Sequence, residues 1–187
     1  MLNTFVVYVE NKPGVLTRVA SLFRRRAFNI DSLAVGRTER PQVSRITITV
    51  DADADQARRI EANLYKLVEV LLVDNITGEP SILRDLAMIK VAVTPESRPH
   101  VMDLVNVFRG RIVDVAPDSL IIEITGGEDK VDGLLEVLRP YGVLEMVRTG
   151  IVAMRRGSKV PTPLSVSASL PEPDAEVAAN DSVSHSV

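Results

Sequence analysis

Two consecutive stretches of the chain share the order strand, helix, strand, strand, helix and strand, and this repeated order restricts the possible folds most. The strand segments are rich in β-branched residues, and in Gln42–Val50 the residues Ile46, Ile48 and Val50 alternate with polar ones. That alternation predicts a sheet with one face in the core. Helical segments instead repeat apolar residues every three or four positions. The sequence therefore predicts an α+β chain of two ferredoxin-like βαββαβ units.

The same periodicity gives approximate bounds for each element. In the first unit the predicted elements are Leu2–Glu10, Gly14–Arg26, Ile30–Arg37, Gln42–Val50, a helix carrying Ala57, Ile60, Leu64 and Leu67, and Val68–Asn75. In the second unit they are Leu86–Val93, Ser97–Phe108, Arg111–Ala116, Leu120–Thr125, Glu128–Leu138 and Val143–Met154, the last of which is broken near Gly150.

Turn-forming residues predict how the chain divides. Thr77-Gly78-Glu79-Pro80 separates the two units, and from about Gly157 proline, serine, alanine and acidic residues replace large apolar ones. Such a composition buries too little apolar surface to offset its ordering entropy, so we expect a disordered tail. The predicted organisation is a first unit at 1–78, a second unit at 79–157 and a tail at 158–187.

Charge and composition exclude several classes of function. The net charge of −3 arises entirely from Ser158 onward, so the rest of the chain is neutral. A neutral body argues against nonspecific binding of nucleic acid, and Gln42–Val50 lacks the aromatic platform of RNA-recognition modules. The absence of cysteine fits a reducing compartment. No signal segment or bilayer-spanning apolar run is recognised, so we expect a soluble, cytoplasmic protein.

The turn Asn11–Leu16 joins the first strand to the first helix and suits an anion. Pro13 supplies a fixed φ, and Gly14 lets the backbone approach a ligand without a Cβ atom in the way. The N–H groups of Gly14, Val15 and Leu16, reinforced by the helix dipole, would suit a carboxylate. An ordinary strand-to-helix turn has the same composition, so this segment alone leaves both interpretations open.

Asn29, at the start of the second strand, also has two interpretations. Its amide could hold the ammonium or carboxylate group of a ligand, or it could be a left-handed residue that ends the helix. Helix capping explains Asp51, Asp53 and Asp55 more simply than metal binding, because no calcium-loop pattern follows them. Arg24-Arg25-Arg26 fits a solvated helix end. We recognise no nucleophile, acid–base pair or metal cluster, so the sequence predicts no catalytic activity.

Several segments together resemble a known family, the small subunit of acetolactate synthase (acetohydroxyacid synthase). Phe5–Leu16 followed by Phe28–Leu33 resembles its amino-terminal ACT domain. Met88–Val91, Leu138–Val143 and Val147–Gly150 resemble its carboxy-terminal domain. The resemblance covers about Met1 to Arg156, and the pairing of the Pro-Gly turn with Asn29–Leu33 is more specific than the turn alone.

The resemblance implies a non-catalytic regulatory subunit of branched-chain amino acid biosynthesis. In this family the catalytic large subunit carries thiamine diphosphate, Mg²⁺ and usually FAD, so no cofactor is expected in this chain. The small subunit raises the activity of that partner and confers feedback inhibition by valine. Related ACT domains are homodimeric and bind the amino acid between two protomers. Carried onto this sequence, the valine contacts are Asn11, Gly14, Val15 and Leu16 of one chain with Asn29 and Ile30 of the other.

Two further expectations follow from the resemblance. The second unit has Thr94-Pro95-Glu96-Ser97 in place of the Pro-Gly turn, so we expect it to lack an equivalent amino acid site and to support or contact the catalytic subunit. A stand-alone ACT protein that senses an amino acid and regulates another target is the alternative function.

Overall fold

Two antiparallel sheets, each covered by two helices, make up the structure, a computed structural model that describes residues 1–157. The first unit consists of β1 (Leu2–Glu10), α1 (Val15–Arg25), β2 (Ile30–Arg37), β3 (Val43–Asp51), α2 (Ala54–Leu64) and β4 (Val70–Asn75). The second consists of β5 (Ser81–Ala92), α3 (Arg98–Val107), β6 (Arg111–Val115), β7 (Ser119–Gly126), α4 (Glu128–Leu138), a short 3₁₀ turn (Arg139–Tyr141), β8 (Val143–Arg148) and β9 (Val152–Arg155). The predicted tail at 158–187 lies outside the described residues.

Both sheets have the same strand order. The first runs β2-β3-β1-β4, and the second runs β6-β7-β5-β8, with β9 paired to the first part of β5. Because β1 and β2 both pair antiparallel with β3, they are parallel to each other and need the crossover that α1 provides. The predicted α+β class, with two ferredoxin-like βαββαβ units, is confirmed.

Each unit has its own apolar core between the helices and one face of the sheet. Phe5, Ile46 and Ile60 are fully buried in the first, and Ile89, Ile122 and Leu134 are fully buried in the second. Aliphatic side chains dominate both cores, as the low aromatic content requires. Among residues 1–157, no helix is long and apolar enough to span a membrane.

The other face of the first sheet is also covered, contrary to the one-sided burial that the alternation in β3 predicts. Thr47 and Thr49 are buried although they lie on the polar side of that alternation. Ile151 and Ala153, from the end of the second unit, pack against Val6 on this face. A contact distant in sequence therefore buries hydroxyl-bearing residues that local periodicity assigns to solvent.

The final strand is split, as the sequence predicts, but its partner is longer than predicted. Gly150 separates β8 from β9, and β5 begins at Ser81 where the sequence predicts Leu86. The additional residues of β5 pair with β9, so the two segments form a two-stranded ribbon next to the second sheet. This ribbon is the element that reaches the first sheet.

The acidic residues before α2 act as helix caps and surface ion-pair partners. Asp53 accepts a hydrogen bond from the Gln56 N–H at 2.8 Å, and the Gln56 side chain accepts one from the Asp53 N–H at 2.9 Å. This reciprocal pair is a capping box. Asp51 pairs with the N-terminal ammonium and Asp55 pairs with Arg58. The capping role predicted for these residues is confirmed at Asp53.

Replacing Asp53 with alanine should lower the free energy of unfolding by about 1 kcal/mol, because the Gln56 N–H loses its acceptor. Asp53→Asn keeps a side-chain oxygen and should retain most of that stability. Chemical denaturation of both variants measures the difference, and an equal loss in the two would contradict the capping role.

Candidate functional site

The start of α1 is open to solvent and rests on a glycine in a left-handed conformation. Gly14 is the N-cap residue with φ 83°, which a residue with a Cβ atom adopts only with strain. A Cβ atom built at this position would meet nothing within 4 Å. The first turn of α1 contains no acidic residue, and no side chain caps it. The positive end of the helix dipole therefore faces free space.

The backbone donors at this helix start are partly unpaired. Within residues 1–157, the amides of Gly14, Leu16 and Thr17 make no hydrogen bond to the protein. The Val15 N–H lies 3.5 Å from the carbonyl oxygen of Lys12, at the long limit for such a bond. Thr17 is a donor that the sequence analysis missed. The first amides of a helix lack partners within the helix, and with Gly14 as the N-cap residue Thr17 is one of them.

Asn11 is held in place with one side-chain atom left free. Its side-chain NH₂ donates to the carbonyl oxygen of Pro41 at 2.9 Å, and its backbone N–H donates to that of Gln42 at 2.7 Å. These bonds tie the turn after β1 to the turn before β3. The side-chain oxygen of Asn11 makes no hydrogen bond among the described residues, so it can accept one from a ligand's N–H group.

The structure removes one interpretation of Asn29. The left-handed residue after α1 is Ala27, with φ 55°, so the proposal that Asn29 itself ends the helix in that conformation is wrong. The amide of Phe28 bonds back to the carbonyl of Phe23 and completes the turn. Asn29 is exposed, immediately before the first residue of β2. Its side chain makes no hydrogen bond in the part of the chain that the structure describes.

The two groups of predicted site residues lie at opposite ends of the first sheet. Ile30 pairs with Val50, and Val50 pairs with Asn3 near the start of β1, whereas the turn at Asn11 follows the end of β1. Seven residues of strand separate the two levels, which is about 23 Å. One amino acid is too small to touch both groups, so a single chain does not bring all six predicted residues together.

A second copy of the chain would bring the two groups to the same end. Strand β2 is at the edge of its sheet, so its outer backbone groups can pair with another strand. In an antiparallel pair of β2 strands aligned along their full length, Ile30 of one copy would lie near Arg37 of the other. Arg37 pairs with Ser44, and Ser44 pairs with Val9, so Arg37 is level with the end of β1. The start of one β2 would then lie on the side of the open helix start in the other copy.

The corresponding turn of the second unit is closed by its own side chains. Ser97 Oγ accepts from the Thr94 N–H at 2.8 Å, and Thr94 Oγ1 accepts from the Ser97 N–H at 3.2 Å. The side-chain hydrogen bond from Thr94 lowers the pKa of the Glu96 carboxyl group, which keeps a negative charge beside the start of α3. At this turn a carboxylate ligand would find the amides of Thr94 and Ser97 already paired, and the negative charge of Glu96 would repel it.

The arginines that end α1 fit the structural role predicted for them, and Arg26 has a side-chain partner. Arg26 donates to the side-chain oxygen of Asn63 at 3.2 Å, and Lys66 donates to the same oxygen at 3.2 Å. Arg24 and Arg25 lie in the last turn of α1, where cations are favoured by the helix dipole.

Two matching family models place this fold in a class, that of the ACT-domain proteins. The family described as an AHAS small subunit-like ACT domain matches residues 5–72, and the family described as the small subunit of acetolactate synthase matches residues 84–157. The chain is 53% identical over 159 residues to the probable acetolactate synthase small subunit of Archaeoglobus fulgidus, an alignment that covers 85% of this chain and 99% of the relative. It is 46% identical to the acetolactate synthase small subunit of Mycobacterium bovis, and this alignment covers 84% of this chain and 94% of the relative.

A solved structure agrees with these relatives. The crystal structure of the acetolactate synthase small subunit from Thermotoga maritima has a TM-score of 0.80 and 42% identity, and the match covers 85% of this chain and 99% of that one. The chain therefore belongs to the acetolactate synthase small subunit family, as the resemblance of its motifs indicates.

Proposed function

We propose that this chain is the regulatory subunit of an acetolactate synthase, that it stimulates a catalytic large subunit, and that it confers feedback inhibition by valine. Membership of the small subunit family supports the partner, because its relatives are named as small subunits of that enzyme along nearly their full length. Thiamine diphosphate, Mg²⁺ and FAD would then belong to the large subunit, and the chain would act in the cytoplasm in branched-chain amino acid biosynthesis.

The open helix start is the observation that carries the effector proposal. The unpaired amides of Gly14, Leu16 and Thr17 can donate to a carboxylate, and the helix dipole favours the negative charge. The free oxygens of Asn11 and of Asn29 from a second copy can accept from the ammonium group. A free amino acid carries its ammonium and carboxylate groups on the same carbon atom, which matches this combination of donors and acceptors.

Nearby apolar groups suit a small branched side chain. Leu16 is 42% exposed in the single chain, and Ile30 is half-buried at the start of β2. A second copy that pairs along β2 would bring its Ile30 toward Leu16 of the first and withdraw both from water. Valine, leucine and isoleucine could each bury their side chains there, at about 25 cal/mol per Å² of apolar surface removed from water.

A site shared between two copies explains how an amino acid could act as a signal. The bound amino acid would stabilise the arrangement of the two chains that completes the site. The size of that effect is set by the difference between its affinities for the alternative arrangements. The alternative function, a stand-alone sensor of amino acids, uses the same site with another target, so only an assay with the catalytic subunit separates the two.

Mixing the chain with the acetolactate synthase large subunit of the same organism should raise acetolactate formation and make it sensitive to valine. The large subunit alone should be less active and less sensitive to valine. An activity that neither rises nor becomes valine-sensitive would contradict the proposed partner. Valine binding to the isolated chain under those conditions would then favour the stand-alone sensor.

Gly14→Asp should abolish valine binding, because a side chain and a negative charge would occupy the place proposed for the carboxylate. Gly14→Asn is the matched control, with the same size and similar strain at φ 83° but no charge. Calorimetric titration of valine should show weaker binding for the asparagine variant than for the wild type and none for the aspartate variant. Unchanged affinity in Gly14→Asp would refute the proposed position of the carboxylate.

Mixed dimers test whether two copies share the site. Gly14→Asp and Asn29→Ala should each abolish or strongly weaken valine binding in their own homodimers. A shared site predicts that mixing the two variants restores binding, because each mixed dimer contains one site made from an intact Gly14 and an intact Asn29. Calorimetry on the mixture, after unfolding and refolding together, measures this recovery. Failure to recover binding in a confirmed mixed dimer would refute the shared site.

A further inference from the structure

The segment Arg148–Ile151 connects the second sheet to the edge strand of the first. The Ile151 N–H donates to Ser32 Oγ at 2.8 Å, and Ser32 lies two residues after Ile30 on β2. Strand β2 is irregular at this point, since its register against β3 shifts between Ile30 and Ser32. The contact therefore touches the edge strand just beyond the proposed valine contacts.

Gly150 allows this close approach. Its φ is 82°, and a Cβ atom here would lie 2.7 Å from Ser32 Oγ and 3.5 Å from the carbonyl oxygen of Leu33. With any side chain at Gly150, the Ser32 hydroxyl would have to turn away from the Ile151 N–H. The glycine thus serves both the left-handed backbone and the packing against β2.

The preceding two residues anchor the segment to the second sheet. Thr149 Oγ1 donates to Asp85 at 3.2 Å and accepts from the Leu86 N–H at 3.3 Å, and Arg148 Nε lies 3.7 Å from Asp85. Asp85 is buried and belongs to β5, whose following residues pair with both β7 and β8. The segment therefore spans from the middle of the second sheet to β2.

A second set of bonds holds the same ribbon on the first sheet. Arg155 contacts Asp74 through two hydrogen bonds of 2.7 and 2.9 Å, and also contacts Glu79 at 3.1 Å. The hydrogen bond to Asp74 raises the pKa of the Arg155 guanidinium. Arg45 donates to the carbonyl oxygen of Ala153. With this side of the ribbon fixed on β4, a movement of β2 relative to the ribbon would act on the Ser32 contact.

We propose that the contact of Ser32 with Gly150 and Ile151 transmits valine binding at the start of β2 to the second unit. This inference rests on the proposed function and names the route of its regulation. A ligand that fixes Asn29 and Ile30 changes the position of Ser32, and the Gly150–Ile151 backbone moves with it because the approach leaves no free space. Thr149 and Asp85 pass the displacement to β5.

The route predicts variants in which valine binds but does not inhibit. Ser32→Ala removes the acceptor of the Ile151 N–H, and Gly150→Ala forces the hydroxyl away from it. In the reconstituted enzyme each should raise the valine concentration for half-inhibition about tenfold or more, while the affinity of the isolated chain for valine changes less than about threefold. Stimulation without valine should persist. The valine concentration for half-inhibition should be no higher in the double variant than in the more severe single variant, because both substitutions remove the same contact.

Matched controls separate this effect from strain or loss of stability. Gly78→Ala has the same left-handed strain, with φ 74°, but its Cβ atom would meet nothing within 4 Å. Ser21→Ala removes a serine hydroxyl from α1 of the same unit. Both should retain normal valine inhibition, and thermal unfolding should show that all four variants are folded.

The outcomes distinguish the inference from the function on which it rests. If Ser32→Ala and Gly150→Ala keep normal valine inhibition, the inference is overturned and the effector site stands. If they lose valine binding together with inhibition, the contact belongs to the site and is not a transmitting element. If the wild-type chain does not bind valine, the proposed function fails and the inference fails with it.

Discussion

The hydrogen-bond register of β3 against its two neighbours is the constraint on which the rest of the structure depends. It makes β1 and β2 parallel and places the start of β2 level with the start of β1, far from the helix start at Gly14. No side-chain rotation within one chain can close a gap of about 23 Å. A ligand that uses both groups must therefore lie between two chains, and its binding would depend on how those chains are arranged.

Burial of both faces of the first sheet is the second constraint. An antiparallel sheet can leave one face in water, but here Ile151 and Ala153, at and beside β9, pack on the face opposite α1 and α2. The β5–β9 ribbon is continuous with the centre of the second sheet through β5, so packing and hydrogen bonds join the two units in addition to the linker. A change at the edge of the first sheet is consequently met by a packed contact, and packed contacts transmit displacement better than solvated ones.

Periodicity and turn chemistry predicted the elements, because both depend on neighbours in sequence. The Pro13-Gly14 turn is the clearest case, since its composition alone predicts an exposed helix start. The missed features depend on distant partners. Thr47 and Thr49 are buried on the face of the first sheet where Val6 packs against Ile151 and Ala153, which lie about a hundred residues further along the chain. The extension of β5 to Ser81 follows from pairing with β9, which no local pattern specifies. Whether the six predicted residues bind an amino acid remains a prediction.

The two strand-to-helix turns occupy the same place in the fold but differ in their hydrogen bonding and charge. At Gly14 the helix start has unpaired donors and no acidic residue in its first turn, which suits the proposed carboxylate ligand. At the corresponding turn of the second unit, Thr94 and Ser97 accept hydrogen bonds from each other's amides, and Glu96 places a carboxylate beside the start of α3. These contacts support the expectation that the second unit lacks an equivalent amino acid site. Under the proposed route, valine binding in the first unit would reach the second through the contact of Ser32 with Gly150 and Ile151.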